Sequence, residues 1–515
     1  MLVEERSDVR ATARANQSTR PSSIRERAVR HRLLLGLIVV GAAVRCVTLT
    51  QQSYWLDEAQ AAHELSLGFG PMLHAWNRAE WNPPLYLLLG WPWAKLFGTG
   101  ETSLHALSTG FGVALIPVVY GAGAELVSRR AGLYAAAFTA LNPFMIWYSQ
   151  EAREYALLTL LCAGSLWCFA RVWRTGGRRA LVWWAVLSAL ALLTQYFAGF
   201  LILAEGVLLI GRLRTRASLG ALGLQGVVLL AFVPHVRPQL GTNAGFITSQ
   251  PLWLRIEQVP TTFVLGNFAQ SSLVHWGIPG GAVLTALAAG VLLAWGDRAE
   301  LSGAGLAAGL AAAVIGLPLV MVVWHDDFIA RGLMPAWPAL AVAFGAACGV
   351  RAAPAVGGVL AVVILAAFVW AGIRIDTDQT FQRPDWRGVA AALGSGGGRA
   401  RAVVAYPGQF ATGPLSLLLP RTPWSGPGGV VPDPDAPTTI SELDIVANAG
   451  VVPVRPPAAV ALIARHQVDG YEVLRYRVSA ASPTDPAEIT GLAASLLRGA
   501  PSGPTVMIQP AATLP

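Results

Sequence analysis

Charge is what this sequence has least of. Only 13% of its 515 residues are Asp, Glu, Lys or Arg, and 54% are hydrophobic. A soluble globular chain carries roughly 25% charged residues. With a mean hydropathy of +0.51, the deficit excludes an ordinary soluble domain and indicates an integral membrane protein. Lysine is nearly absent: Lys95 is the only one, so the net charge of +8 rests on arginine. The excess of Arg, Ala, Gly and Pro fits a GC-rich, bacterial genome. Cysteine is scarce too. Cys46, Cys162, Cys168 and Cys348 all lie in apolar runs with no CxxC pair, so no zinc site, redox pair or structural disulfide is expected. No P-loop, GxGxxG unit or kinase motif set is present, which removes a cytosolic nucleotide site. No internal repeat of the transporter kind is visible, and Glu205 is nearly the only acid deep in an apolar run. The arginines sit in the N-terminal region and in short loops, where membrane topology accounts for them, so no nucleic-acid partner is expected. Residues 1–32 are polar and the first apolar run is long enough to span, so no cleavable signal peptide is expected.

What is present is a series of apolar runs. A spanning helix needs about 20 apolar residues. Candidate spans are 33–50, 104–127, 131–148, 153–173, 180–195, 197–211, 217–236, 277–295, 303–324, 333–350 and 354–372, about eleven in all. Arg25, Arg27, Arg30 and Arg32 precede the first span and place the N-terminus inside. Arg129-Arg130, Arg171–Arg179, Arg212–Arg216, Arg298 and Arg351 then all fall on inner loops. The reading divides the chain into an Arg-rich cytoplasmic tail (1–32), a transmembrane domain (33–374), an extracytoplasmic α/β domain (375–480) and a loosely ordered tail (481–515). A large first outer loop, 51–103, holds a short amphipathic helix over Leu56–Leu67 and a re-entrant or interfacial helix over Pro84–Phe97, which is too short to span. In the outer domain, Arg401–Tyr406, Tyr471–Val478 and Ala458–Ala464 read as strands.

This topology sends the polar groups to the outer side, as suits an enzyme working at the outer surface of a plasma membrane. Asp57 and Glu58 directly follow the first span. Either is a general base for a hydroxyl, or both merely complement a helix N-terminus. Gln150, Glu151, Arg153, Glu154 and Tyr155 crowd a tight outer hairpin, and Arg153 has the planar fork that suits a phosphate. Arg331 precedes a span on the outer side, where the inside rule does not explain it, and is a candidate for a lipid phosphate. His325, Asp326 and Asp327 stand beside it, but a contiguous trio has poor spacing for a divalent ion, so no metal or other cofactor is expected. Tyr196, after Gln195 at another outer hairpin, is a candidate pocket residue.

In combination these motifs resemble the family-39 glycosyltransferases, the group of protein O-mannosyltransferases and the lipid A aminoarabinose transferase. The segments that carry the resemblance are Trp55-Leu56-Asp57-Glu58, Asn82-Pro83-Pro84-Leu85-Tyr86, Trp147-Tyr148-Ser149-Gln150-Glu151-Ala152-Arg153, Phe328–Pro335 and Asp385-Trp386-Arg387. It spans about residues 33–390 and implies the GT-C membrane fold. It further implies an inverting transferase that moves mannose or a similar sugar from a polyprenyl-phosphate donor to an acceptor hydroxyl on a protein, lipid or glycan. By that resemblance Asp57 is the catalytic base, with Glu58 positioning the acceptor. Arg331 and Arg153 hold the donor phosphate. Gln150 and Glu151, with Arg153, line the same cavity, and the residues themselves add Tyr155, Tyr196, His325 and Asp327 as candidate cavity residues. The chain departs from the family where an Arg-Tyr reads Arg331-Gly332 and a His-Tyr reads Gln195-Tyr196. Rival readings are a transferase or polymerase for cell-wall glycan or glycolipid, a lipid or polysaccharide transporter, and a non-catalytic scaffold that has kept the fold.

Overall fold

The computed structural model describes residues 28–236, 245–266, 272–395, 400–406, 408–425, 440–482 and 485–510. Most of the expected tail 1–32 lies outside them. The membrane-side helices run in chain order as α1 (28–47), α2 (Leu56–Ser66), α3 (Phe69–Ala79), α4 (Leu85–Phe97), α5 (Glu101–Leu126), α6 (Arg129–Leu141), α7 (Pro143–Ser149) and α8 (Tyr155–Thr175). They continue as α9 (Arg178–Leu192), α10 (Ala198–Leu213), α11 (Arg216–Val236), α12 (Gly245–Thr248), α13 (Leu252–Leu265), α14 (Gly277–Trp295), α15 (Arg298–Met321), α16 (Trp337–Cys348) and α17 (Pro354–Thr377). Among the described residues, six helices are long and apolar enough to cross a membrane, within α5, α8, α11, α14–with its preceding turn, α15 and α17.

Apolarity on all sides has two outcomes here. Helix α8 is the packed centre, with 72% of its apolar window buried, while α11 and α14 bury only 11% and present Leu, Val and Trp outward, as lipid-facing helices do. Small residues bring the central helices together. A Cβ on Gly132 of α6 would sit 2.5 Å from the Tyr120 carbonyl of α5, so only glycine allows that approach.

Two expected spans are not single helices. The run 131–148 breaks at Asn142, whose side chain accepts the Met145 amide at 3.0 Å and donates to the Phe263 carbonyl at 2.8 Å, with Pro143 opening α7. The run 333–350 begins as a 3₁₀ turn over Ala330–Ala336 before α16. In the first loop, the expected helices Leu56–Leu67 and Pro84–Phe97 appear as α2 and α4. Helix α2, expected as amphipathic, buries polar as well as apolar side chains, Glu58, Gln60 and Glu64 among them.

The C-terminal part is a small α/β unit. Helices α18 (Trp386–Leu393), α19 (Gly408–Leu418) and α20 (Pro486–Ser495) cover a five-stranded sheet of order β4-β5-β2-β1-β7. Its strands are β1 (Arg401–Ala405), β2 (Ile440–Asn448), β4 (Val460–Val468), β5 (Tyr471–Ser482) and β7 (Thr505–Gln509); β3 (Val452–Pro453) and β6 (Leu497–Arg498) form a separate short pair. Only β1 and β2 run parallel. Strand β1 is buried along its whole length, with α18 and α19 on one face and α20 on the other. The three expected strands correspond to β1, β5 and β4, and β2 was not anticipated. The expected loose tail is also corrected: residues 486–509 supply α20 and the edge strand β7, paired with β1 from Arg401↔Gln509 to Ala405↔Thr505. The unit therefore extends well past residue 480.

This unit is docked on the helices that carry Asp57. Helix α19 lies against α2, and Trp424 stacks on His63 at 4.4 Å. Arg387 donates to the carbonyls of Thr50 and Gln51 at 3.0 and 2.8 Å, fastening α18 to the chain just before α2.

Candidate active site

The extended segment Ser53–Trp55 turns into α2 at Trp55, which puts Asp57 and Glu58 in the first helical turn. Neighbouring positions on a helix point about 100° apart, so the two acids part company. Asp57 faces Arg331: Nη1 lies 3.8 Å from Oδ2, and both side chains keep part of their surface open, 21% and 27%. The Arg331 guanidinium stands 5.4 Å over the Trp55 ring. Burial disfavours its charge, but Tyr155, Asp57, Tyr148 and Glu151 outweigh that and hold it firmly protonated. Tyr148 and Tyr155 pack edge-to-face at 4.7 Å beside it. Aromatic rings, a carboxylate and a guanidinium thus stand together, with Asp57 and Arg331 partly exposed.

Glu58 points the other way and is wholly buried. Its Oε1 accepts from the Ala152 amide at 2.7 Å and contacts His105 Nε2 at 2.8 Å, and its Oε2 pairs with Arg383. Burial pushes its acidity down in strength, but Arg383, His105 and the Ala152 amide overcome this and hold the carboxyl below the usual range. Its oxygens are therefore taken by the protein, and the expected role of Glu58 in positioning an acceptor is corrected to an anchor for α2. Arg383 also donates to Glu151 at 2.6 Å and lies 4.9 Å over Trp147. Burial pushes Glu151 up to about 7, against the pull of Arg383.

Arg153 requires the second correction. Its fork is bidentate to Glu80, at 2.5 and 3.0 Å, with Glu154 at 3.1 Å from Nε. Nη1 also reaches the Asp57 carbonyl at 3.4 Å. A guanidinium already answered by two buried carboxylates has no charge left over for a phosphate. Asn82 completes this cluster by donating to Glu154 at 2.9 Å, while its carbonyl accepts from Trp76. Gln150 likewise acts as a fastener, donating to the Arg45 carbonyl at 2.7 Å and Thr48 Oγ1 at 2.6 Å, so that α1 is tied to the turn after α7.

The trio at 325–327 does not converge. His325 pairs with Asp327 at 2.9 Å, while Asp326 takes Arg255 in a two-pronged pair at 2.6 and 2.5 Å. Among the described residues no group of three or more His, Cys, Asp and Glu side chains is arranged to hold a metal ion. Tyr196 keeps its hydroxyl buried without a hydrogen-bond partner among the described residues, and its ring meets Phe232. Its neighbour Phe197 explains the Arg331-Gly332 pair. A Cβ on Gly332 would lie 2.9 Å from the Phe197 ring, so the ring fills the room a side chain at 332 would need.

Arg383, His105, Glu80 and Arg255 were not anticipated. For Arg383 a signal existed: on the topology read from the loop arginines it is, like Arg331, an arginine that the inside rule does not explain. The other three are fixed by contacts with residues 47 to 73 positions away, which sequence does not announce.

The bundle with its broken helices and docked α/β unit has the GT-C fold of membrane glycosyltransferases. It matches the apo crystal structure of ArnT from Cupriavidus metallidurans at TM-score 0.52 and 13% identity, covering 87% of this chain and 98% of that one. Weaker likenesses are to the arabinofuranosyltransferase AftD from Mycobacteria (TM-score 0.41, 18% identity, 86% of this chain and 41% of that one) and to the Archaeoglobus fulgidus oligosaccharyltransferase (TM-score 0.38, 16% identity, 69% and 55%). The profile of the family described as dolichyl-phosphate-mannose-protein mannosyltransferase matches residues 82–237. In that segment the chain resembles the family-39 glycosyltransferases, as its motifs imply. No curated protein matches the sequence.

Proposed function

We propose that the protein is an inverting glycosyltransferase that moves a sugar, mannose or a similar one, from a polyprenyl-phosphate donor to an acceptor hydroxyl at the outer face of the plasma membrane. The observation that carries this reading is the 3.8 Å approach of Arg331 to Asp57. That separation is too long for a hydrogen bond and sets a carboxylate and a guanidinium side by side, both partly exposed, so that each can turn toward a bound ligand. The description of the matched family, with its dolichyl-phosphate-mannose donor, supports a lipid-phosphate leaving group. The arginine-rich loops support placing the Asp57 end outside, with the α/β unit beside it.

Asp57 takes the proton of the acceptor hydroxyl as its oxygen attacks the anomeric carbon from the side opposite the phosphate. The bond from that carbon to the phosphate oxygen breaks, and the sugar inverts. Arg331 stabilises the charge that develops on the departing phosphate, the kind of preorganised electrostatics that is often the largest catalytic effect. Arg153, Glu58 and Glu151 act behind this pair by fixing α2 and the 150–154 turn. The test is incubation of purified protein with radiolabelled polyprenyl-phosphate sugars and an envelope fraction. Sugar transfer to acid-stable products supports the reading. Movement of the intact donor across vesicles without transfer refutes it.

A further inference from the structure

A wide cavity lies at the opposite end of the bundle. It has a volume of about 520 Å³ and lies between the first turns of α1, the start of α6 and the α16–α17 turn. Helix α1 runs over 28–47 and meets the cavity in its first turns, so about 15–22 Å of helix lies between the cavity and the end of α1 that leads to Asp57. Its walls are apolar: Leu33 and Leu37 of α1, Leu133 of α6, and Val350 and Pro354 of the turn. At its edge stand Arg32 and Arg130. Neither guanidinium makes an ion pair among the described residues. Gly36 faces open space, with no atom within 4 Å of where its Cβ would be. No acid lines the cavity.

Two cations without an ion-pair partner among the described residues, at the mouth of an apolar slot, call for an anion that carries hydrocarbon. We infer that this cavity binds an anionic glycerophospholipid from the leaflet on the arginine-rich side, its phosphate between Arg32 and Arg130 and its first acyl methylenes against Leu33, Leu37 and Leu133. Basic pockets between spanning helices recognise lipid headgroups in this way. The apolar wall contributed by α1 reaches only from Leu33 to Leu37, little more than one turn. It is deep enough for the glycerol region and the start of a chain, and the rest of the chain remains in the bilayer. A shallow slot of this kind suits an abundant two-chain lipid rather than the long isoprenoid of the donor. The bound lipid would tie α1 to α6 and α17, three helices that otherwise leave a gap there.

The experiment uses the full-length protein in detergent, titrated with dioleoyl phosphatidylglycerol, dioleoyl phosphatidylcholine or undecaprenyl phosphate and read by native mass spectrometry and thermal unfolding. Phosphatidylglycerol is expected to bind and raise the unfolding temperature, and phosphatidylcholine is not. The double variant R32Q/R130Q should weaken phosphatidylglycerol binding by roughly tenfold or more. Gly36→Phe, which fills the slot and leaves both arginines, should weaken it as well, and both variants should retain sugar transfer in detergent. Equal binding of the two glycerophospholipids, or phosphatidylglycerol binding unchanged in both variants, overturns the site. Tighter binding of undecaprenyl phosphate that depends on Arg32 and Arg130 overturns the assignment to a glycerophospholipid. Loss in R32Q/R130Q but not in Gly36→Phe reduces the site to surface charge and overturns the slot.

Discussion

Arg331 Nη1 stands 3.8 Å from Asp57 Oδ2, joining the first turn of α2 to the 3₁₀ turn before α16 across more than half the sequence. The proposed chemistry depends on this pair. Asp57→Asn keeps the shape of the side chain and removes the base. Transfer from a labelled polyprenyl-phosphate sugar is expected to fall by about 10²–10⁴-fold with little change in unfolding temperature, because the Asp57 side chain is partly exposed and its contact with Arg331 is a loose 3.8 Å pair. A folded Asn variant with near-normal turnover would remove Asp57 from the role of base.

Arg331 and Arg153 are both buried-side arginines near Asp57, and the structure separates them. Arg331→Gln should weaken donor affinity and turnover together, since it removes the cation facing the leaving phosphate. Arg153→Gln leaves Glu80 and Glu154 without their cation. Breaking a buried pair in this way costs about 3–5 kcal/mol, so the expected result is poor folding rather than a selective loss of donor binding. The measurement is donor affinity and thermal unfolding of each variant in detergent. The double variant Arg153→Gln/Glu80→Gln, which removes one of the two carboxylates that Arg153 answers, should recover part of the stability. A well-folded Arg153→Gln with selectively lost donor affinity would return Arg153 to the phosphate site.

What was legible followed from burial in lipid. A helix buried in lipid or in a helical bundle must be apolar on all sides, so α5, α8, α15 and α17 stood out as runs. Asp57 and Arg331 were legible because each is a charge at a boundary with no topological reason to be there. Long-range pairing was not legible. Arg153 has the phosphate-gripping fork in sequence, and only the fold brings Glu80 to it from 73 positions away. Glu58 looks equivalent to Asp57 until the helix turns it inward. Strand β7 is five residues in a Pro- and Gly-rich stretch, too short to distinguish from a tail until β1 supplies its partner.

Glu151 gives the site a pH dependence of defined sign. Its carboxyl is pushed up to about 7 by burial, from an ordinary value of 4.5. The folded state therefore holds this proton more tightly than the unfolded chain. Stability from this group is fully present below about 4.5 and is lost as pH rises through about 7. The loss is on the order of 1–3 kcal/mol. Glu151→Gln resembles the protonated form and still accepts from Arg383. It should unfold at nearly the same temperature at pH about 5.5 and about 8.5, while the unmodified protein falls at the higher pH. A parallel decline in both proteins would place the titration elsewhere.

Arg383 acts at a distance from the reacting atoms, through Glu58. It lies between α17 and α18 and reaches under α2 to hold Glu58 and Glu151 at once. Glu58 in turn caps the turn at Ala152 and sets the roll of α2 that aims Asp57 at Arg331. A lysine carries the charge but lacks a planar fork to bridge two carboxylates. Arg383→Lys should therefore fold, bind donor with little change in KM and lose about ten- to a hundredfold in kcat, because a misplacement of about 1 Å at the base has that effect. Arg383→Gln leaves two buried acids unanswered and should fold poorly, whereas Arg383→Gln/Glu151→Gln should fold and share the kcat defect. If Arg383→Lys instead raised KM for the donor and left kcat alone, Arg383 would touch the donor itself rather than position Asp57.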